Sequence, residues 1–450
     1  MHAVTRIAPF GVPVLLTLGL AGPVRPQEAI RFAEDFRTGH TYKVDVQVKL
    51  SGRIALPARE KGKPPQVVPL SGTSKVVYDE RILAPDAANT VKAVRAYREV
   101  DFRRVTGELA QDAGIRPSVR RLVMIKNGPK KAPFSPDGPL TWGEIDVIRT
   151  DVFNPAAVPG ILPGGPVRPG HSWRASPAAV AELTDMEKVD EGELTVEFLG
   201  VTTVDGKRLA KLKLGGTVRG VNEDGPNRQK LDGTAYFDLG ANLLTYLSLR
   251  GTHELINGQT GQIDGLIEGQ FTMIRSPIAL PADLSDASLR GLDLKPGAEN
   301  TLLLYDSPDL GVRLLHPRSW RVDASQGRQL TLVRGQTGAG MLITVEPPSR
   351  VPTAADYLKE TTQFLQKEKA QVTAADRPVR LRGEPVTLDT FALEAVFGTE
   401  RVRLEYAVLR QTDGGATVAA RLPAAAAGEL RPEVERIVRS LAVTKKIDEK

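Results

Sequence analysis

Residues 305–320 read Tyr-Asp-Ser-Pro-Asp-Leu-Gly-Val-Arg-Leu-Leu-His-Pro-Arg-Ser-Trp, and their reading decides how the chain divides. Ser-Pro-Asp-Leu-Gly is turn chemistry, because proline presets φ and glycine tolerates the conformations that reverse a chain. A short strand over 312–315 follows, and the next is expected over 320–322. The stretch is the opening hairpin of a small domain that starts close to residue 302.

Downstream, strands are expected over 330–333 and 341–345. A helix capped by Thr353 then places Tyr357, Leu358, Thr361, Phe364 and Leu365 on one face. Three more strands follow over 391–397, 402–409 and 417–422. A last helix opens near Pro432 and buries Val434, Ile437, Val438 and Leu441. The mixture is β-rich α+β rather than doubly wound.

Upstream, residues 277–299 are enriched in Pro, Ala, Asp, Ser and Gly without sustained periodicity, which is the composition of a tether. Before it, Tyr42, Val44, Val46, Val48 and Leu50 alternate with polar residues, the period of a half-buried strand. Residues 74–82 resume the pattern after a proline-broken loop, while 91–108 fit neither the strand nor the helix period. Thr141-Trp-Gly-Glu144 has capping-box spacing and predicts a short helix through Val147 and Ile148. Residues 154–173 hold five prolines and four glycines, so they are an irregular crossing, with Val158, Ile161, Leu162, Val167 and Trp173 as packing handles. Strands over 194–199, 209–214, 233–238, 243–249 and 265–274, separated by turns such as Asp205-Gly206 and Asn257-Gly258, read as an antiparallel meander. The expected fold is therefore a large antiparallel β-sheet or open half-barrel followed by the α+β domain. The boundaries are 1–28 signal peptide and leader, 29–278 β domain, 279–301 linker and 302–445 C-terminal domain.

The first residues carry a positive charge and then a charge-free apolar run to Ala21, the pattern of a secretory signal cleaved near Ala21. The run is shorter than the roughly 20 residues that a membrane span needs. The expected compartment is therefore periplasmic or extracellular, with membrane association only through an uncleaved signal. The absence of cysteine removes disulfides, thiolate metal sites and cysteine nucleophiles. Sixty basic against 54 acidic residues give a net charge of +6 over 450 residues, too mild to argue for nucleic acid. The doublets Arg103-Arg104, Arg120-Arg121 and Lys130-Lys131 could form a patch for an anionic polymer or headgroup, but solvated strand ends and loops are the preferred reading.

No catalytic signature emerges: there is no Gly-x-Ser-x-Gly elbow and no His-Glu-x-x-His helix. Residues 200–207 imitate a phosphate loop but have the wrong spacing, and an Asp-Gly hairpin accounts for them. His40, His171, His253 and His316 are dispersed, and a metal centre would have to gather His171 and His253 with carboxylates in space. Glu144 with Asp146, and Glu191 with Glu193, are formal acid/base pairs. Trp142, Trp173 and Trp320 are a formal sugar-stacking set, but each sits at a turn where an anchoring role suffices. No residue is assigned as catalytic, cofactor-binding or metal-ligating.

Tyr305, Gly311, His316-Pro317 before Trp320, the helix after Pro352 and Ile437-Val-Arg-Ser-Leu441 resemble the PsbP-like fold. That resemblance implies a docking or assembly scaffold without a common active site. The preceding part, through Tyr78-Asp-Glu-Arg81, Leu140-Thr-Trp-Gly-Glu144 and residues 162–173, resembles an uncharacterised exported bacterial family, with His171 where such families have an acid. The expectation is a non-enzymatic binding or assembly module of the bacterial envelope, with an apolar ligand or lipid in the N-terminal sheet and a protein partner at the C-terminal domain. The alternative is an exported hydrolase using Glu144, Asp146, His171 or His253. The first predicts an apolar groove, the second a polar pocket joining those four.

Overall fold

The computed structural model describes residues 29–34, 37–56, 64–85, 91–127, 130–131, 133–149, 158–222, 225–381 and 387–449. The expected signal sequence, within residues 1–28, and the start of the proline-rich crossing lie outside the described residues. The first unit runs β1 (Thr41–Leu56), β2 (Gln66–Pro85), β3 (Val91–Thr106), β4 (Leu109–Ala113), β5 (Arg121–Asn127), β6 (Lys130–Lys131), α1 (Trp142–Arg149), β7 (Ser172–Arg174) and α2 (Pro177–Thr184). It continues with β8 (Lys188–Val204), β9 (Lys207–Asn222), β10 (Gly225–Asp238), β11 (Leu243–Ile256) and β12 (Ile263–Pro277). These strands make one open antiparallel sheet ordered β6-β5-β3-β2-β1-β12-β11-β10-β9-β8-β7, with β4 beside β3. It is two meanders joined back to back, because the first long strand pairs with the last along Tyr42↔Pro277 to Ile54↔Gly265.

One face of this sheet carries the core. Tyr42, Val44 and Val46 alternate inward with Val76, Tyr78 and Ile82, and on the far half with Val196, Phe198, Leu212 and Phe237. Ile145 and Ile148 of α1, Val180 and Leu183 of α2, and Ile161 and Val167 of the proline-rich crossing close over them. That crossing is thus an internal packed connection, pinned where Ile30 and Val167 exchange backbone hydrogen bonds of 2.8 and 2.9 Å. The indecisive pattern over 91–108 has a physical cause. Tyr78 pairs with Tyr97 but Val77 pairs with Glu99, so Arg98 is an inserted bulge residue that flips the inward series from Ala93, Arg95 and Tyr97 to Val100 and Phe102.

The segment expected to be a tether lies on the sheet. Its helical turn α3 (Asp286–Leu289) and the preceding residues bury Leu284 and Leu289 against Val94 and Ala96 on the opposite face of β3. The bulge aims Arg98 at this segment, where its guanidinium makes two bonds of 2.6 and 2.9 Å to Asp283. Arg81 donates to the Leu284 carbonyl at 2.7 Å and Arg121 to that of Ser288 at 3.1 Å.

The second unit contains β13 (Leu303–Ser307), β14 (Val312–His316), β15 (Arg321–Gln326), β16 (Gln329–Arg334), β17 (Ala339–Glu346) and α4 (Ala354–Lys367). After these come β18 (Gln371–Ala375), β19 (Val379–Arg380), β20 (Thr387–Phe397), β21 (Glu400–Gln411), β22 (Gly414–Pro423), α5 (Ala427–Ser440) and β23 (Ala442–Val443). The main sheet is ordered β15-β16-β17-β22-β21-β20-β18, with a small sheet β13-β14-β23 beside it. Leu430, Val434, Ile437 and Val438 of α5 cover one face, and Leu365 of α4 covers the other with Phe391, Leu404 and Tyr406.

Three local expectations are corrected. Helix α5 begins at Ala427 rather than near Pro432, which sits inside it; the carbonyl that the proline leaves without a donor belongs to exposed Gly428. Phe364 is 60% exposed, because Ala354, Leu358, Thr361 and Leu365 form the stripe and Phe364 lies about 100° off it. Trp320 precedes its strand and is fully buried, its indole donating to Glu433 at 2.7 Å.

Glycines align across the long strands. Across the sheet, Gly72, Leu50, Gly269, Gly251, Leu231 and Gly216 stand in one row. A Cβ at Gly251 would meet the Lys230 carbonyl oxygen at 2.4 Å, whereas one at Gly269 meets nothing nearer than 3.9 Å. Gly251→Ala should therefore cost about 1–3 kcal/mol of stability, while Gly269→Ala stays within about 0.5 kcal/mol of the parent. Denaturant melts of the two variants check this, and equal losses would remove close strand approach as the reason for the row.

Candidate functional site

At the glycine row the face opposite the core becomes hollow. A cavity of about 760 Å³ there has a floor that includes Gly72, Gly251 and Gly269. Its walls come from the intervening positions, which point away from the core. They carry Lys49, Arg103, Lys230 and Arg250 against Asp232 and Glu268, with serine, threonine and Gln270 between. Arg103 approaches Asp101 at 3.4 Å; among the described residues, Lys49, Lys230 and Arg250 join no ion pair. Low-dielectric walls of one predominant sign focus field into such a hollow and favour anions.

Of the basic doublets, Arg103 faces this hollow while its neighbour turns to the core side, where Arg104 bonds Gln111 at 2.7 Å. Arg121 is spent on Asp137 and the Ser288 carbonyl, and the side chains of Lys130 and Lys131 lie outside the described residues.

The residues that might have formed an acid/base centre are dispersed. Glu144 is a capping-box residue: its carboxylate accepts from the Thr141 amide at 2.8 Å while its own amide donates to the Thr141 hydroxyl at 3.2 Å. Arg116 grips the same carboxylate through Nε and Nη2, both at 2.8 Å. Burial pushes the Glu144 carboxyl up, but Arg116 and the two backbone amides outweigh it and hold its pKa below the usual value. His171 is exposed and stacks on Trp173, their ring centres 6.4 Å apart. His253 is on β11, four strand spacings from β7, which follows His171, and each spacing is about 4.8 Å. Asp146 lines a separate cleft whose wall includes none of Glu144, His171 or His253. Glu193 pairs with Arg174 at 2.8 Å, and His40 meets the Tyr42 hydroxyl at 3.0 Å. Residues 200–207 are the β8–β9 hairpin, with Asp205 and Gly206 at φ 49° and 76°. Among the described residues no group of three or more His, Asp or Glu could hold a metal ion, and no helix is long and apolar enough to cross a membrane.

Sequence reasoning missed two ion pairs inside the first core. Arg95 donates to Glu80 at 2.6 Å, both at most 1% exposed, and its guanidinium lies 4.3 Å from the Tyr78 ring centre. Arg275 pairs with Glu34 and lies 5.0 Å from the Tyr42 ring centre. Burial pulls the Arg275 pKa down to about 9, still high enough for a charged side chain at neutral pH. The signal was available, since Glu80 falls between Tyr78 and Ile82 in the inward series and Arg95 between Ala93 and Tyr97.

No protein-family model matches the chain and no curated protein matches it, so the likeness of the N-terminal part to an exported bacterial family finds no support. Among solved structures, the chain is similar to the cyanobacterial PsbP of Synechocystis sp. PCC 6803, at 14% identity and a TM-score of 0.26 over 32% of this chain and 92% of that one. A Ran-binding protein of Saccharomyces cerevisiae matches at 11% identity and a TM-score of 0.26 over 32% of this chain and 96% of its own. Lipovitellin matches at 8% identity and a TM-score of 0.30 over 55% of this chain and 27% of its own.

Two outcomes follow from these side chains. Glu144→Ala removes both the cap and the partner of Arg116 and should lower stability by about 2–3 kcal/mol in denaturant titration, a loss that a solvent-exposed carboxylate would not show. His316 is fully buried, and burial lowers its pKa against the opposing influence of the Pro317 and Trp320 carbonyls. The unfolded chain, with a histidine pKa of about 6.5, then takes up this proton before the folded one, so stability is full above about pH 6.5 and falls as the pH drops below it. His316→Gln should flatten the difference in stability between pH 7.5 and pH 5.5; an unchanged difference would place its origin elsewhere.

Proposed function

We propose that this chain is a non-enzymatic, exported binding module whose ligand surface is the hollow on the outer face of the first sheet. The observation that carries the reading is the charge of its walls, four cations against two carboxylates, with Lys49, Lys230 and Arg250 outside any ion pair among the described residues. The ligand is anionic, bearing phosphate or carboxylate groups, either as a lipid headgroup or as a soluble polymer. Val105 is an apolar side chain on these walls, whereas most apolar side chains of the sheet lie on the other face, under α1, α2 and the proline-rich crossing, so the charged groups are the ligand's principal contacts. Hydrolysis has little support, because Glu144 is committed to Arg116 and Thr141.

Co-sedimentation with phosphatidylcholine vesicles containing phosphatidylglycerol, and titration with dextran sulfate, test the reading and separate its two sources. Binding to at least one should weaken as salt rises from about 50 to 500 mM. Lys49→Glu with Arg250→Glu, both at exposed positions, should weaken it by at least about tenfold. Failure to bind either probe at low salt, or binding indifferent to the double reversal, would overturn the assignment.

A further inference from the structure

The hollow of the first sheet does not end at β10. A second recess of about 440 Å³ opens beside it, with Thr217, Arg219, Arg228 and Glu254 in its walls. It lies on the same face, because Val218 is buried in the core and its neighbours Thr217 and Arg219 therefore point the other way. The two recesses are continuous: Lys230 of the first stands opposite Thr217 of the second, and Arg228 opposite Arg219. Together they make a trough that crosses the strands. From Arg103 on β3 to Arg219 on β9 it spans six strand spacings, about 29 Å at roughly 4.8 Å each.

Cations recur along this line. Arg103, Lys49 and Arg250 occupy one cross-strand row, each two strands from the next, with Thr73 and Gln270 between them. Lys230 follows one strand further and one row along, and Arg219 one strand and one row beyond that. All five side chains are exposed. Arg103 meets Asp101 at 3.4 Å, an exposed pair of little strength. Among the described residues, Lys49, Arg250, Lys230 and Arg219 join no ion pair, whereas Arg228 is held by Glu254 at 2.6 Å. Like charges in a common trough repel one another, and a ligand with anionic groups at matching intervals removes that repulsion along the whole line.

The groups between the cations select the ligand class. Asp232 and Glu268 stand in the walls among serine, threonine and Gln270 side chains. Ionised carboxylates only accept hydrogen bonds, so they repel a chain that is charged at every position and bind one that offers hydroxyls there. A single headgroup fills one end of a trough of this length, and a planar bilayer reaches only its rims. A linear chain of hydroxylated rings, each about as long as one strand spacing, with carboxylates at intervals, fits the length, the cations and the acceptors together. We propose that the trough binds an anionic polysaccharide of the uronate type, lying across the strands with about six sugar residues engaged and its carboxylates on Arg103, Lys49, Arg250, Lys230 and Arg219. This rests on the anionic reading of the first hollow and narrows it to the soluble polymer.

Calorimetric titration of the full chain with oligogalacturonates and oligomannuronates of two, four, six and eight residues, beside phosphatidylglycerol-containing vesicles and dextran sulfate, tests the assignment. In at least one series the dissociation constant should fall at least about tenfold from two residues to six and change less than about twofold from six to eight. Arg219→Glu, outside the first hollow, should weaken the hexamer about fivefold or more. Lys207→Glu, an equal change of net charge at the exposed far end of the same strand, should alter it less than about twofold. Silence with both series, equal affinity at every length, or a hexamer indifferent to Arg219→Glu would overturn the proposal. Should vesicles or dextran sulfate still bind in those cases, the anionic reading of the hollow stands without the polysaccharide; binding of no probe at all removes both.

Discussion

The geometry depends on the row of close strand approaches through Gly251 and Gly216. A Cβ at Gly216 would stand 2.1 Å from the Glu193 carbonyl oxygen, so only hydrogen fits between these strands. Strands of 14 to 20 residues extend about 45–65 Å, more than one core can cover. The sheet therefore serves two environments. Toward the α1 and α2 end its inward positions are apolar and enclosed; at the glycine row the opposite positions, mostly polar, form the walls of a hollow. The polarity of that hollow follows from strand parity rather than from any local motif.

The same parity gives the buried ion pairs their meaning. Burying charge is unfavourable unless the partner is close and the remaining groups are satisfied. Glu80 and Arg95 stand one opposite the other in the β2–β3 register, and Glu34 both meets Arg275 and accepts the Leu244 amide at 3.1 Å. A slip of one residue in β2 or β3 would carry one partner to the other face and leave its counterpart buried alone. Such pairs add little net stability compared with apolar residues, yet they penalise the wrong register heavily. In a sheet whose long strands would tolerate sliding, that penalty specifies the pairing. The Glu34 pair also ties the segment ahead of β1 to β12, closing the core across the junction of the two meanders.

How much of this was legible in the sequence differs by range. Period-two alternation identified most long strands, and Thr141, Thr353 and the Asp205-Gly206 turn marked their elements, because those signals act over a few residues. The pairing of β1 with β12 was not legible, since nothing local distinguishes it from a single meander. The hollow was hidden for the same reason: Lys49, Arg103, Lys230 and Arg250 each read as an ordinary solvated strand residue, and they converge only once the register is known. The Arg98 bulge broke the period over β3 and concealed a strand that is otherwise regular. Glu80 and Arg95 were legible as charges at inward positions, and reading them as such would have announced a buried pair. In the second unit, Phe364 was misread because successive helix residues are rotated by about 100°, which carries it off the stripe that its neighbour Leu365 occupies, and the early start of α5 because a proline is tolerated in a helix interior where the carbonyl it strands faces water.

The packed segment between the units orders their connection. Composition alone describes a tether, but Leu284 and Leu289 are buried on β3 and three arginines reach across to the segment from the sheet. Each exposed ion pair is worth little singly; together with the apolar anchors they remove the freedom that a flexible linker would have had. The chain is held again where Leu304 bonds Leu140 and where Arg318 bonds the carbonyls of Thr301 and Pro133. With both ends of the connection fixed, α1 and the β13–β14 hairpin are held side by side. A joint between two units ordinarily keeps some relative motion; here apolar anchors, ion pairs and a backbone bridge order it as part of folding.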